Sequence, residues 1–261
     1  MDDRVKGCCA GFYELPLIKS LLGDEWHPGG PALTRRLAGA VLIGRDWHVL
    51  DVASGSGNSA RLLAEHFGCR VTGVDYSSDN CVRANAMAAR TGLADRIRFV
   101  HGDAENLPFE ADSFDGAISE CSLCLFPDRA VALQEIRRVL RPGGHLGISD
   151  VVVNQTIPES LRDLFGHVLC IGGALSIEGY CEAFSSAGFW SVRSRDASHA
   201  INEMIERIER RARIFDIFVD AEFIELQPGW TVSRSTISEA RQFVKTGGVG
   251  YALVSGRKPR E

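Results

Sequence analysis

The chain has 261 residues, 45% hydrophobic and 24% charged, enough to bury the core of one globular domain with appended elements. Its net charge of -5, with Lys and Arg scattered, supplies no basic stripe for phosphate backbones and argues against nucleic acid as a partner. The start, MDDRVKGCC, lacks the basic-then-apolar order of a signal peptide, and no apolar run approaches the ~20 residues of a membrane helix. A cytoplasmic protein without a membrane partner is expected, and in that reducing compartment its eight cysteines read as thiols, ligands or catalytic groups rather than disulfides.

Residues 1–45 carry helical patterns around LPLIKSLL and ALTRRLAGAVL, split by the turn-rich HPGG, and are expected to lie as a helical lid across one rim of the fold. From Trp47 onward short apolar runs alternate with helix-like stretches: WHVLDVA, then SARLLAEHF; RVTGVD, then DNCVRANAMAAR; IRFVHGD; FDGAISE, then DRAVALQEIRRVL; and HLGISDVVV. This alternation predicts an α/β fold, an open doubly wound sheet of parallel strands joined by right-handed crossovers. Ligands in such sheets sit at the carboxyl ends of the strands, where Cys121 directly follows FDGAISE. Two helical stretches, PESLRDLFGHVLC and SIEGYCEAFSSAGF, lead to a strand at WSVRSRDA. An amphipathic stretch near 200–226 and a last strand near GYALVSGRK complete the chain. The expected organisation is a lid over 1–45 and one sheet domain over 46–261, with a substrate-side insertion at about 153–188 and a helical addition at about 200–246.

In VLDVASGSGN an apolar strand ends in an acid and enters a Gly-rich turn before a helix. Gly55 and Gly57 lack Cβ atoms, so the backbone there can turn sharply and approach a ligand. Residues 55–60 satisfy the G-x-G-x-x-A dinucleotide pattern, so a nicotinamide oxidoreductase competes at this point. Asp75 ends the second strand, where a carboxylate accepts ribose hydroxyls in either cofactor class, and Asp103 follows the third, placed to accept from an exocyclic adenine amine.

The ordered set DVASGSG, GVD, GDAENLPF, SFDGAIS and RVLRPGG closely resembles class I S-adenosylmethionine-dependent methyltransferases. The resemblance implies a Rossmann-like seven-stranded sheet with S-adenosylmethionine as cofactor. It puts Asp51, Gly55 and Gly57 along the methionine end, Asp75 at the ribose, and Asp103 with Ala104 at the adenine, with Ala53 and Tyr76 also in the expected cofactor-binding set. Ala53 stands where the family usually has its first glycine. Glu120, closing the FDGAISE strand, and Tyr13 in the lid complete the expected cofactor-binding set; Tyr13 and Trp26 either cover the cofactor or belong to a helix core.

Cys69, Cys81 and Cys181 fall within strand or helix patterns and read as packing residues. Cys121 and Cys124 form a lone C-x-x-C. A structural zinc site wants a second such pair, and a thioredoxin-type motif opens its helix directly, whereas Leu125, Phe126 and Pro127 intervene here. Together with its downstream segment, SECSLCLFPDRAVALQEIRRVLRPGGHLGISD resembles arsenite methyltransferases, and so does LCIGGALSIEGYCEAFSSAGF. The resemblance implies that Cys121 and Cys170 hold trivalent arsenic as thiolates, and that a thiol from upstream joins them. Cys8 and Cys9 are the candidates, Cys9 being placed in the ligand set and the pair supplying a third ligand or a resolving thiol. Cys124 has no usual counterpart and is a spare ligand, a disulfide partner or a buried residue.

Soft trivalent arsenic favours sulfur, and its remaining lone pair can attack a sulfonium methyl group without a general base. Arsenite or a thiol-bound form is the expected substrate in a detoxifying methylation, with glutathione or thioredoxin as the reductant of the cysteines. The alternatives are methylation of an organic small molecule, which leaves the thiols incidental, and a non-catalytic metalloid-binding protein.

Overall fold

The computed structural model describes residues 6, 7, 11, 15, 27–162, 166, 169–214, 223–227 and 230–260. Helix α1 (Gly30–Ala40) has a proline in its first turn, where a missing N–H leaves no bond unmade, and buries Leu33, Leu37 and Ala38. Then follow β1 (His48–Val52), α2 (Asn58–Phe67), β2 (Arg70–Asp75), α3 (Ser78–Arg90), β3 (Ile97–His101) and β4 (Phe114–Glu120). The second half comprises α4 (Arg129–Val139), β5 (Leu140–Val153), α5 (Ile177–Ser186), β6 (Trp190–Asp196), α6 (Ser198–Ile214), the strands β7 (Phe223–Gln227) and β8 (Trp230–Ser233), α7 (Arg234–Lys245) and β9 (Val249–Arg257).

The main sheet has seven strands in the order β3-β2-β1-β4-β5-β9-β6. The first five run parallel, and β9 lies antiparallel to both neighbours. Val49 to Val52 are buried throughout, as expected of a parallel strand covered on both faces. One core, with Leu37, Leu63 and Phe99, fills one face of the sheet, and a second, with Phe114, Ile136 and Phe184, fills the other. Strand order reverses between β1 and β4, which pair with Val52 beside Ser119. This reversal opens a crevice at the strand ends, the place where doubly wound sheets take ligands.

The expected helical addition over about 200–246 is corrected in its middle. Between α6 and α7, strands β7 and β8 pair antiparallel, Phe223 opposite Ser233. The β-branched and aromatic residues of FIEL and WTV favour strand, and the intervening Pro-Gly is a turn signal that interrupts the helical period. Of the expected helix over 158–170, the described residues include a 3-10 turn at Glu159–Leu161 and a helical Gly166.

Candidate active site

A cavity of about 790 Å³ occupies the crevice. Its floor is the loop from β1 to α2, where Ala53, Gly55 and Gly57 all have positive φ, at 58°, 51° and 79°. A Cβ on Gly57 would lie 2.5 Å from Phe99 Cζ, so size and backbone conformation both require glycine there. Asp51, just before this loop, is buried, and its Oδ2 has no hydrogen-bond partner. Burial, followed by the nearby charges of Glu120 and Asp75, holds this carboxyl well above the usual range. A bound cation would relieve that repulsion, and S-adenosylmethionine carries an ammonium and a sulfonium. The residues therefore fit the cofactor implied by the sequence.

Among the described residues, the Asp75 carboxylate accepts from the Gly55 amide at 2.7 Å, the Ser77 amide at 2.9 Å and Asn80 Nδ2 at 3.1 Å. Beyond β3, Asp103 Oδ1 accepts from the Glu105 amide at 2.9 Å. Lys6 Nζ donates to Asp103 Oδ2 and to Glu105 Oε2, both at 2.7 Å, and lines the same cavity. Tyr76, Ala104 and Glu120 are also on its wall. Glu120 accepts from Ser59 Oγ at 2.6 Å and Thr34 Oγ1 at 3.1 Å, and His27 Nε2 lies 3.6 Å away. Through Thr34 and His27, α1 and the residues before it reach the rim of β4.

The thiols meet beside this carboxylate. Cys121 directly follows β4 with φ 52°, its amide donating to the Ser149 carbonyl at 2.6 Å; Cys170 has φ 63°. Their sulfurs are 3.7 Å apart, although 49 positions separate them in the chain. Cys121 lines the cavity, whereas Cys170 and Cys124 are buried. Contact with Cys170, then burial, pushes the Cys121 thiol well above its ordinary range, while a hydrogen bond with Tyr251 acts in the opposite direction. Burial, then contact with Cys170, likewise raises Cys124. Asp150 accepts the Cys124 amide at 3.0 Å and the Val151 amide at 2.8 Å; burial, then the Cys170 sulfur, pushes its carboxyl up to about 7. Among the described residues, no group of three acidic, imidazole or thiol side chains is set to hold a metal ion as it stands.

The crevice thus gathers Asp51, Ala53, Gly55, Asp75, Tyr76, Asp103, Ala104, Glu120 and Cys121 around one cavity, with Gly57 capping α2 beside it and Cys170 behind Cys121. Cys8, Cys9, Tyr13 and Trp26 lie outside the described residues. Lys6, Thr34, Ser59, Asn80, Asp150 and Tyr251 also belong to the site, and sequence reasoning did not single them out. Asp150 and Tyr251 carried a signal, each being a polar residue within an otherwise apolar run.

Residues 50–148 match a family model described as a methyltransferase domain. The chain is 28% identical over 250 residues to the O-methyltransferase resE of Aspergillus sclerotiorum, covering 95% of this chain and 88% of that protein. It is 34% identical over 190 residues to the arsenite methyltransferase of Aquipseudomonas alcaligenes, covering 67% of this chain and 53% of that protein. Further relatives are named for oxygen and nitrogen acceptors. Among solved structures, the [4+2]-cyclase SpnF aligns with a TM-score of 0.79 at 24% identity, over 97% of this chain and 96% of that one, a likeness of fold.

Proposed function

We propose an acceptor from one premise: the chain belongs to the class I S-adenosylmethionine-dependent methyltransferases, and S-adenosylmethionine is its cofactor. The inferred reaction is methyl transfer to trivalent arsenic held by Cys121 and Cys170. The observation that carries this reading is the 3.7 Å between the two sulfurs, one of them on the wall of the cofactor cavity. That separation suits two thiolates gripping one soft atom, and the likeness to an arsenite methyltransferase supports the same reading.

When bound, the cofactor supplies a methyl group made electrophilic by its sulfonium. Asp51 and the loop through Gly55 and Gly57 hold its methionine end, Asp75 its ribose and Asp103 its adenine. Glu120 adds negative charge to the cavity wall next to Cys121. Cys121 enters as a neutral thiol, and Cys170 beside it supplies the second sulfur. Each exchanges for a hydroxide of arsenous acid, the thiol proton leaving with that hydroxide as water, so a raised thiol pKa does not obstruct capture. The arsenic lone pair is the nucleophile and carries no proton, so no base is needed; the thiols' task is to place it against the methyl group. Methylation takes the arsenic to the pentavalent state; Cys121 and Cys170 then leave it as a disulfide, which returns the methylated arsenic to the trivalent state, and a cellular reductant such as glutathione or thioredoxin restores the two thiols.

The test is methylation of arsenite in the presence of a reduced thiol. Wild type should release methylated arsenic, and Cys121→Ser and Cys170→Ser should lose that activity while retaining cofactor affinity. Methylation that survives both substitutions removes the reading. The end-to-end likeness to an O-methyltransferase favours a second reading, methylation of a small organic acceptor. On that reading both serine variants stay active toward the organic acceptor, and arsenite is not methylated. Binding of arsenite without consumption of cofactor would identify a non-catalytic carrier.

A further inference from the structure

We infer that His27 is a general base and that the crevice also methylates a phenolic hydroxyl, an activity that goes beyond the arsenic reading and does not depend on the two thiols.

Arsenic chemistry uses no base, yet one is built into the cavity wall. His27 lines the cavity together with Glu120 and Cys121, and the His27 and Glu120 side chains are 14% and 5% exposed. His27 Nδ1 lies 3.1 Å from the Pro28 carbonyl oxygen, which can only accept, so Nδ1 carries the hydrogen and Nε2 of the neutral ring presents a lone pair. Nε2 faces Thr34 Oγ1 at 3.3 Å and Glu120 Oε2 at 3.6 Å. Thr34 has a stronger acceptor in that carboxylate, at 3.1 Å, so its hydroxyl holds Glu120 and leaves the Nε2 lone pair for an incoming hydroxyl. Ser59 Oγ, at 2.6 Å, fixes the same carboxylate oxygen. A proton acceptor is thus oriented through one ring nitrogen and given a counter-ion beside the other, the arrangement that base catalysis requires.

The charges favour proton uptake at the right moment. Beside a sulfonium the ring stays neutral; after transfer, when that charge is gone, Glu120 stabilises the imidazolium. Asp51, close enough to Glu120 for their charges to interact, and Arg35 and Arg61 on the same cavity wall complete the local field. A phenol suits this base, because its hydroxyl ionises near about 10, within reach of an imidazole, whereas an aliphatic alcohol is a far weaker acid. Leu62, Leu125 and Phe126 offer its ring an apolar surface. The step balances: an oxygen lone pair forms the new bond to the methyl carbon, the electron pair of the broken bond stays on the donor sulfur, the phenolic proton passes to His27 Nε2 and then to water, and nothing is oxidised or reduced.

The first test needs no turnover. In the complex of the full chain with S-adenosylhomocysteine and 4-nitrophenol, phenolate absorbance reports where the proton sits. Bound 4-nitrophenol should ionise at least about one pH unit below the free phenol, a tenfold stronger acid. His27→Gln should abolish that shift while binding S-adenosylhomocysteine with wild-type affinity, which shows that the variant is folded. The second test supplies S-adenosylmethionine and 2-naphthol: wild type should release the methyl ether, and His27→Gln should lose at least about 100-fold in turnover. An unshifted titration in wild type overturns the inference even if His27→Gln fails to fold. A shift or a rate that survives His27→Gln overturns it too, as does failure of wild type to methylate 2-naphthol. Each of these results leaves the arsenic reading standing, since that reading is tested at Cys121 and Cys170.

Discussion

The amide of Gly55 donates to the carboxylate of Asp75 across 2.7 Å, tying the loop after β1 to the end of β2. Ser77 and Asn80 hold the other oxygen, so the carboxylate is oriented before any ligand arrives. Asp75→Ala should weaken cofactor binding by about 10- to 100-fold, the equivalent of one charge-assisted hydrogen bond, as read by calorimetry. Unchanged affinity would place the ribose elsewhere.

Ala53 is the counterpart of a glycine in the family pattern, and the structure shows what the methyl group costs. Its φ of 58° is left-handed, which an L-residue with a Cβ adopts at a penalty of about 1 kcal/mol. Ala53→Gly should therefore raise stability by up to about 1 kcal/mol, less the entropy glycine adds to the unfolded chain, seen as a higher urea midpoint. Gly57→Ala should do the reverse and more, because its Cβ would meet Phe99 as well. A lower midpoint for Ala53→Gly would mean that the methyl makes contacts outweighing the strain.

The sheet was legible in the sequence because parallel strands covered on both faces read as apolar runs, and the acids of the cavity wall because Asp51, Asp75, Asp103 and Glu120 punctuate those runs where strands end. Partnerships across the fold left no local trace. Lys6 and Asp103 are 97 positions apart, Thr34 and Glu120 86, and Tyr251 and Ser149 102, and no periodicity connects them. The hairpin β7–β8 was hidden for another reason: amphipathic spacing continued past the end of α6 into a segment whose β-branched and aromatic residues decide its structure. Cys170 shows the limit most clearly, since it lies 49 positions from Cys121 and only the fold brings the two sulfurs to 3.7 Å.

Lys6 bridges Asp103 and Glu105 at 2.7 Å each, and all three side chains are at least two-thirds shielded from solvent. Lys6→Gln leaves two adjacent carboxylates without a countercharge. It should lower stability by about 1 kcal/mol, an effect that shrinks as salt rises. Thermal unfolding of wild type and variant at low and high salt measures this. A difference independent of salt would assign the role of Lys6 to packing of its aliphatic stem.

Asp150 gives the stability a pH dependence whose sign follows from its surroundings. Burial, then the Cys170 sulfur, raises its folded-state pKa to about 7 from the ordinary 3.8, so between those values the folded chain binds a proton that the unfolded chain releases. The contribution is present in full below the unfolded value and is lost as pH rises through about 7. Over that window stability should fall by up to about 1.4 kcal/mol per pH unit on account of this group. His48 and His145, both lowered chiefly by burial, slope the other way below their unfolded value, so the wild-type curve mixes the two effects. Asp150→Asn separates them. The variant keeps one carbonyl acceptor for the Cys124 and Val151 amides and starts less stable, but the wild-type-minus-variant difference should shrink from pH 4 to pH 7. A difference that is flat with pH would mean that Asp150 is already ionised in the folded protein, its charge balanced by donors around the thiols.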